Sequence, residues 1–226
     1  MAWILNLETA TTNCSVSLAK DGKTTAIKEH DTPNYSHSEQ LHVFIDDVLN
    51  KAAVSLSELD AIAVSKGPGS YTGLRIGVSA AKGLCFSLDI PLISIETLKS
   101  MASQSKSSEY DFVIPLLDAR RMEVYSKVFD IQFNEVRETK AEIVDESSFL
   151  EFTKKGKTLL IGSGANKCKD VIITDNLEYN FDAVPSAEQM SQLSYDKFQN
   201  HDFEDVAYFE PYYLKDFILQ TAQKKK

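Results

Sequence analysis

Residues 66–83 read KGPGSYTGLRIGVSAAKG and hold five of the chain's nine glycines. No other stretch limits the fold so much. Gly67-Pro68-Gly69-Ser70 is a turn signal, since glycine reaches positive φ freely and proline fixes its own. One apolar run, 61–64, precedes the turn and another, 91–95, follows the stretch. After Thr72, which suits an N-cap, Leu74, Val78, Ala81, Cys85 and Leu88 recur at helical spacing. The order strand, glycine-rich loop, helix follows.

That helix carries two rows of small residues, Gly73-Gly77-Ala81 and Ser79-Gly83-Ser87. A glycine inside a helix costs on the order of 1 kcal/mol relative to alanine, so close packing must offset it. The packing partner is either the protein's own sheet or a helix of another chain. A glycine-rich loop between strand and helix also suits a phosphate, through free N–H groups and the helix dipole. Here Lys82 lies deep in the helix and no Gly-x-Gly-x-x-Gly occurs, so neither the P-loop nor the dinucleotide fingerprint is matched. A structural or docking loop is the better reading.

Around this stretch the chain opens with strands at 3–8, 14–19 and 24–28, the last two joined at Asp21-Gly22. Ser36 and Glu39 have capping-box spacing, and Leu41, Phe44, Ile45, Val48, Leu49 and Ala52 mark one face of the helix that follows. Further elements are a strand at 61–65, a strand at 91–95 and a helix from Thr97 to about Gln104. The serine-rich run 103–109 reads as a lobe boundary. Beyond it come strands at 112–117 and 122–129, a helix at 146–154, strands at 159–162 and 171–174, and a helix capped by Ser186 with Met190, Leu193 and Phe198. A meander followed by alternating strands and helices predicts mixed sheets with helices packed on them. No internal repeat is visible in the letters.

A formal charge of −9 argues against an unaided grip on a phosphate backbone, and Lys224–Lys226 read as a solvated tail. Three cysteines, Cys14, Cys85 and Cys168, are widely spaced and suggest neither disulfides nor zinc. No apolar run approaches a membrane span and no basic leader opens the chain, so a cytoplasmic protein is expected. His37 and His42, five residues apart, would stand about 140° apart on a helix, unlike a helical metal pair; they read as surface or capping histidines. Glu8, Asp60 and Asp118 sit at strand ends, where magnesium carboxylates are found, but turn-forming acids are the simpler reading. Gly162-Ser163-Gly164 is too short a motif to indicate a nucleotide. Arg75, in the first turn of its helix, opposes the dipole and so serves something other than helix stability. No Ser/His/Asp or Cys/His set can be assembled.

The segment GPGSYTGLRIGVSAAKGL closely resembles the signature of the TsaB (YeaZ) family, the bacterial partner subunit in synthesis of threonylcarbamoyladenosine at position 37 of tRNA. ILNLETATTNCSVSL, HSEQL, LLDARRMEVY, LLIGSGANK and EPYYLK extend the likeness along the chain. The resemblance implies a two-lobed α/β fold of the actin-like, sugar-kinase-like kind, with each lobe a mixed sheet carrying helices. The first lobe is expected over 1–105, rejoined by 205–226, and the second over 106–204.

It implies a non-catalytic, required subunit that pairs through its first lobe with the catalytic paralogue TsaD, with TsaE docking on the pair and tRNA reached through the complex. ATP or ADP and a divalent metal belong to the partner subunits, and no cofactor or metal is expected here alone. The interface set is Gly67, Pro68, Gly69, Ser70, Tyr71, Thr72, Gly73, Arg75, Gly77 and Ala81 on the signature loop and its helix, with His37 and Leu41 on the preceding helix. Glu8, Thr11 and Thr12, at the first strand turn, are the residues that would meet a nucleotide. Glu8 and Ala10 stand where many ATP-binding relatives have Asp-x-Gly, and the His-x-x-x-His metal site of the paralogue is missing. A surface built for a paralogue also fits a homodimer. The competing readings are a free-standing ATP-dependent kinase or hydrolase using the cleft between lobes, and a peptidase, for which no nucleophile is visible.

Overall fold

A computed structural model describes residues 1–33, 36–105 and 109–215. The lysine tail 224–226 and part of the serine-rich boundary, 106–108, lie outside these described residues.

The first three strands are β1 (Trp3–Glu8), β2 (Asn13–Lys20) and β3 (Lys23–Asp31), an antiparallel meander. Helix α1 (His37–Ala52) returns the chain to β4 (Ala61–Gly67), and α2 (Tyr71–Leu88) leads to β5 (Leu92–Glu96). β4 and β5 run parallel to β1, so the sheet order is β3-β2-β1-β4-β5. After α3 (Thr97–Ala102), strands β6 (Phe112–Asp118), β7 (Glu123–Asp130) and β8 (Glu135–Ile143) form a second meander. The short α4 (Leu150–Thr153) precedes β9 (Thr158–Ile161), and a 3₁₀ turn, Ser163–Lys167, precedes β10 (Leu177–Asn180). The second sheet is ordered β10-β9-β6-β7-β8, the first sheet's pattern again. The duplication missing from the letters is plain in the topology, and the architecture is two-lobed and actin-like.

Period-2 alternation explains which helix covers which face. Leu5, Leu7, Val16 and Leu18 face α1 and α2, meeting Leu41, Phe44, Ile45, Val48, Val78 and Cys85. On the opposite face, Ile4, Ala61, Ala63 and Ile93 meet Ala187 and Met190 of α5 (Ala187–Gln199). A polar seam fixes that helix: Ser194 Oγ donates to Asn6 Oδ1 at 2.7 Å, and Ser17 Oγ donates to the Ala187 carbonyl at 2.8 Å. The expectation that 106–204 lies wholly with the second lobe is therefore corrected for α5, which is a layer of the first. α3 joins the lobes, with Leu98, Met101 and Ala102 packed among Val113, Phe129 and Ile161. Lys127 of β7 adds a brace, its Nζ 2.5 Å from Glu96 Oε2 and 2.5 Å from Glu135 Oε2.

Four local expectations change. Ser70, not Thr72, caps α2, its side chain accepting from the Gly73 N–H. Ser36 begins α1 without a side-chain cap, so the capping box with Glu39 is not formed. Residues 171–174 turn on the Cys168 carbonyl rather than forming a strand, because the edge of β9 is already taken by β10. The helix read at 146–154 shrinks to α4, and β8 was not expected at all.

Met190 is fully buried between α5 and the first sheet. Met190→Ala is expected to lower unfolding free energy by about 2–5 kcal/mol in urea titration; a loss under about 1 kcal/mol would mean α5 is not a layer of this core.

Candidate functional site

The signature loop and α2 close over the turn between β1 and β2. The Ser70 N–H donates to the Ala10 carbonyl at 2.6 Å, and Thr9 Oγ1 donates to the Gly73 carbonyl at 2.8 Å. A Cβ on Gly69 would fall within 3.0 Å of the Ala10 carbonyl oxygen, and one on Gly73 within 3.0 Å of the Thr9 carbonyl oxygen. A Cβ on Gly77 would strike Thr9 Oγ1. The row Gly73-Gly77-Ala81 thus answers to the protein's own turn and is buried there. Gly67 adopts φ 110° where a side chain would meet the Tyr212 carbonyl oxygen at 2.8 Å.

Beneath this seal Glu8 is fully buried. Its Oε1 accepts from the Ala10 N–H at 2.6 Å and from Ser65 Oγ at 2.8 Å, while Oε2 has no partner among the described residues. Burial pushes the carboxyl up to about 7, and the hydrogen bonds from Ala10 and Ser65 pull back against it. Burial, with the Glu8 charge second, also lifts the Cys14 thiol to about 11, which favours the protonated form at neutral pH. Thr11 Oγ1 accepts weakly from the Asn13 N–H at 3.4 Å, and Thr12 Oγ1 donates to Asp31 Oδ1 at 2.5 Å. Glu8 faces inward and the loop backbone packs over Thr9 and Ala10, so these three residues do not converge on an open cradle.

His37 corrects the surface reading: it is 1% exposed, with Nε2 2.7 Å from the Thr11 carbonyl oxygen. Burial lowers its pKa, and the bond to Thr11 opposes that. Asp60 accepts from the Trp3 N–H, and Asp118 accepts from the Arg120 N–H and from Lys167. Both act as turn acids. Among the described residues no group of three or more His, Cys, Asp or Glu side chains is placed to hold a metal.

Of the residues read as an interface, Gly67, Pro68, Gly73, Gly77, Ala81, His37 and Leu41 are buried within the chain itself. Gly69, Ser70 and Tyr71 are half-buried, while Thr72 and Arg75 are exposed. The second small row, Ser79, Gly83 and Ser87, is the outward one, with Phe86 beside it at 85% exposure. A Cβ on Gly83 would meet nothing within 4 Å among the described residues. On the neighbouring α1, His42 and Val43 are exposed, Val43 at 54%. Sequence reasoning missed Phe86 and Val43, although both sit out of phase with the core positions of their helices.

Residues 207–213 add to this outer surface. Lys82 Nζ donates to the Ala207 and Phe209 carbonyls at 3.0 Å each, and the Tyr212 N–H donates to the Lys66 carbonyl at 2.7 Å. Arg75 lies 4.3 Å from the Tyr71 ring centroid and donates from Nε to Tyr213 Oη at 3.3 Å. Its role is to tie this segment down.

A family model described as TsaD, tRNA N6-adenosine threonylcarbamoyltransferase, matches residues 33–220. The Escherichia coli protein named tRNA threonylcarbamoyladenosine biosynthesis protein TsaB is 30% identical over 222 residues, covering 95% of each chain. The tRNA N6-adenosine threonylcarbamoyltransferase of Bacillus subtilis is 31% identical over 130 residues, 51% of this chain and 37% of that protein. The solved structure of YeaZ from Pseudomonas aeruginosa superposes with a TM-score of 0.84 at 25% identity, over 95% of this chain and all of that one. No helix among the described residues is long and apolar enough to cross a membrane.

Glu8 makes the seal sensitive to pH. With a folded value of about 7 against 4.5 unfolded, the unfolded chain ionises first, so stability falls as pH rises through this window and then levels off. The displacement corresponds to on the order of 3 kcal/mol at about 1.36 kcal/mol per pH unit. Relative to wild type, Glu8→Gln is expected to gain stability progressively from pH 4.5 to 8 in urea unfolding. Parallel curves for the two proteins would refute the burial of an ionising Glu8.

Proposed function

The chain belongs to the TsaB (YeaZ) family, and from that premise we propose that it is a non-catalytic, required subunit of the assembly that makes threonylcarbamoyladenosine in tRNA. It pairs with the transferase TsaD through the outer faces of α1 and α2, and TsaE docks on the pair. Nucleotide and metal sit in those partners, and the assembly works in the cytoplasm.

The observation that carries this reading is the division of α2 into two faces. The inner glycines are consumed by the Thr9–Ala10 turn, and the outer row of Ser79, Gly83 and Ser87 stays open beside the exposed Phe86. Small side chains let a second helix approach closely, and an aromatic at their edge supplies an apolar anchor. The TsaD family model matches most of this chain, so the partner has helices of the same architecture to offer in a pseudo-twofold pairing. The inward Glu8 and the sealed turn favour scaffolding over the kinase or hydrolase reading, which has no further observation behind it.

Gly83→Arg and Phe86→Asp test this without touching the core, because both positions face solvent in the free chain. Each is expected to weaken association with TsaD of the same organism at least about tenfold in titration calorimetry, roughly 1.4 kcal/mol, with the unfolding midpoint not lowered. Wild-type affinity in both variants would exclude this face.

A further inference from the structure

We propose that the tip of the β6–β7 hairpin and the tyrosine pair at the start of α2 form one contact surface for unpaired RNA. The idea rests on the reading above and extends it, giving this chain a direct hold on the nucleic acid.

Arg120 and Arg121 are exposed at the tip, at φ 71° and 50°. Asparagine and glycine adopt that left-handed backbone far more readily than arginine, so turn geometry is not what these side chains serve. The acids that flank them in the hairpin are already engaged. Asp118 accepts from the Arg120 N–H at 2.6 Å and from Lys167 Nζ at 2.8 Å, and Glu123 is ion-paired with Lys215. Among the described residues neither guanidinium has an ion-pair partner. On a chain of net charge −9, this is a local concentration of uncompensated positive charge.

The Lys215–Glu123 pair also locates the second half of the surface. Lys215 is two residues beyond Tyr213, and Glu123 two beyond Arg121, each a span of about 7 Å at most. The Tyr213 and Tyr71 rings lie 4.9 Å apart between centroids, and the Arg75 guanidinium lies 4.3 Å from the centroid of Tyr71. Guanidinium forks bind phosphate oxygens bidentately, and tyrosine faces and guanidinium planes stack on unpaired bases. An acidic protein would engage the arginines but gain nothing from the tyrosine rings beside them, and a paired helix would hide its base faces. Unpaired RNA uses both.

The test is fluorescence anisotropy with a fluorescein-labelled RNA hairpin carrying an open loop, against a blunt RNA duplex of equal length. Full-length protein is titrated alone and together with TsaD, at several salt concentrations. Arg120→Asn with Arg121→Asn keeps the left-handed turn populated by a residue that tolerates it. The double variant is expected to lose about tenfold in affinity for the looped RNA, and its salt slope is expected to fall by about 1.4, the contribution of two single-strand phosphates. Tyr213→Ala is expected to lose about fivefold with its slope unchanged, as for a lost stacking contact. The proposal is overturned if wild type binds no looped RNA in either setting, if it binds the blunt duplex equally well, or if the variants bind RNA as wild type does. It is also overturned if the arginine variant loses TsaD while RNA binding stays intact, which would make the surface a protein contact. RNA binding that needs the arginines but no pairing with TsaD would uphold this inference and remove the proposed pairing instead.

Discussion

The close approach of α2 to the turn between β1 and β2 is the constraint on which the rest depends. Backbone carbonyls of Thr9 and Ala10 lie where side chains would stand on Gly73 and Gly69, and the Thr9 hydroxyl fills the place of a side chain on Gly77. Two hydrogen bonds, Ser70 N–H to the Ala10 carbonyl and Thr9 Oγ1 to the Gly73 carbonyl, hold the surfaces together. Glycine inside a helix is intrinsically unfavourable, so its presence at two successive turns of α2 is explained by what it admits.

Three features follow from that contact. Glu8 is shut beneath the turn with its carboxyl committed to Ala10 and Ser65. The Tyr212 carbonyl is brought against Gly67, and Lys82 and Arg75 tie residues 207–213 along α2. Among the described residues the opposite face of the helix is uncovered, with small residues and Phe86 turned outward. The first strand turn is filled by the protein's own loop, which rests on the Thr9 and Ala10 carbonyls. Family membership places the chain among proteins of tRNA threonylcarbamoyladenosine biosynthesis, and the scaffolding role proposed above rests on this geometry.

Much of the first lobe was legible in the letters. Alternating and helical apolar spacing marked β1, β2, α1 and α2 because each buries one or both faces against a single sheet. What remained open had physical causes. Small residues look the same whether they meet a sheet, a turn or a partner, so the direction of the Gly73-Gly77-Ala81 row could not be read. His37 is buried by the Thr11 carbonyl, a residue 26 positions away, and no local pattern announces that. β8 escaped because its sequence EVRETKAEI is largely exposed at a sheet edge and lacks an apolar face. α5 was visible as a helix, but the sheet it covers is decided by hydrogen bonds to Asn6 and Ser17, more than 160 residues earlier. Phe86 was visible only as an apolar residue out of phase with the core face of α2, a signal that a single residue carries weakly.

The most direct test of the sealed turn is urea unfolding of Gly73→Ala beside Gly83→Ala, two identical changes in one helix. The Gly73 variant drives a methyl into the Thr9 carbonyl and should lose about 1–3 kcal/mol or more. The Gly83 variant meets open space and should gain on the order of 1 kcal/mol from helix propensity. Equal stability of the two variants would contradict the account, because it would mean that α2 does not rest on the turn.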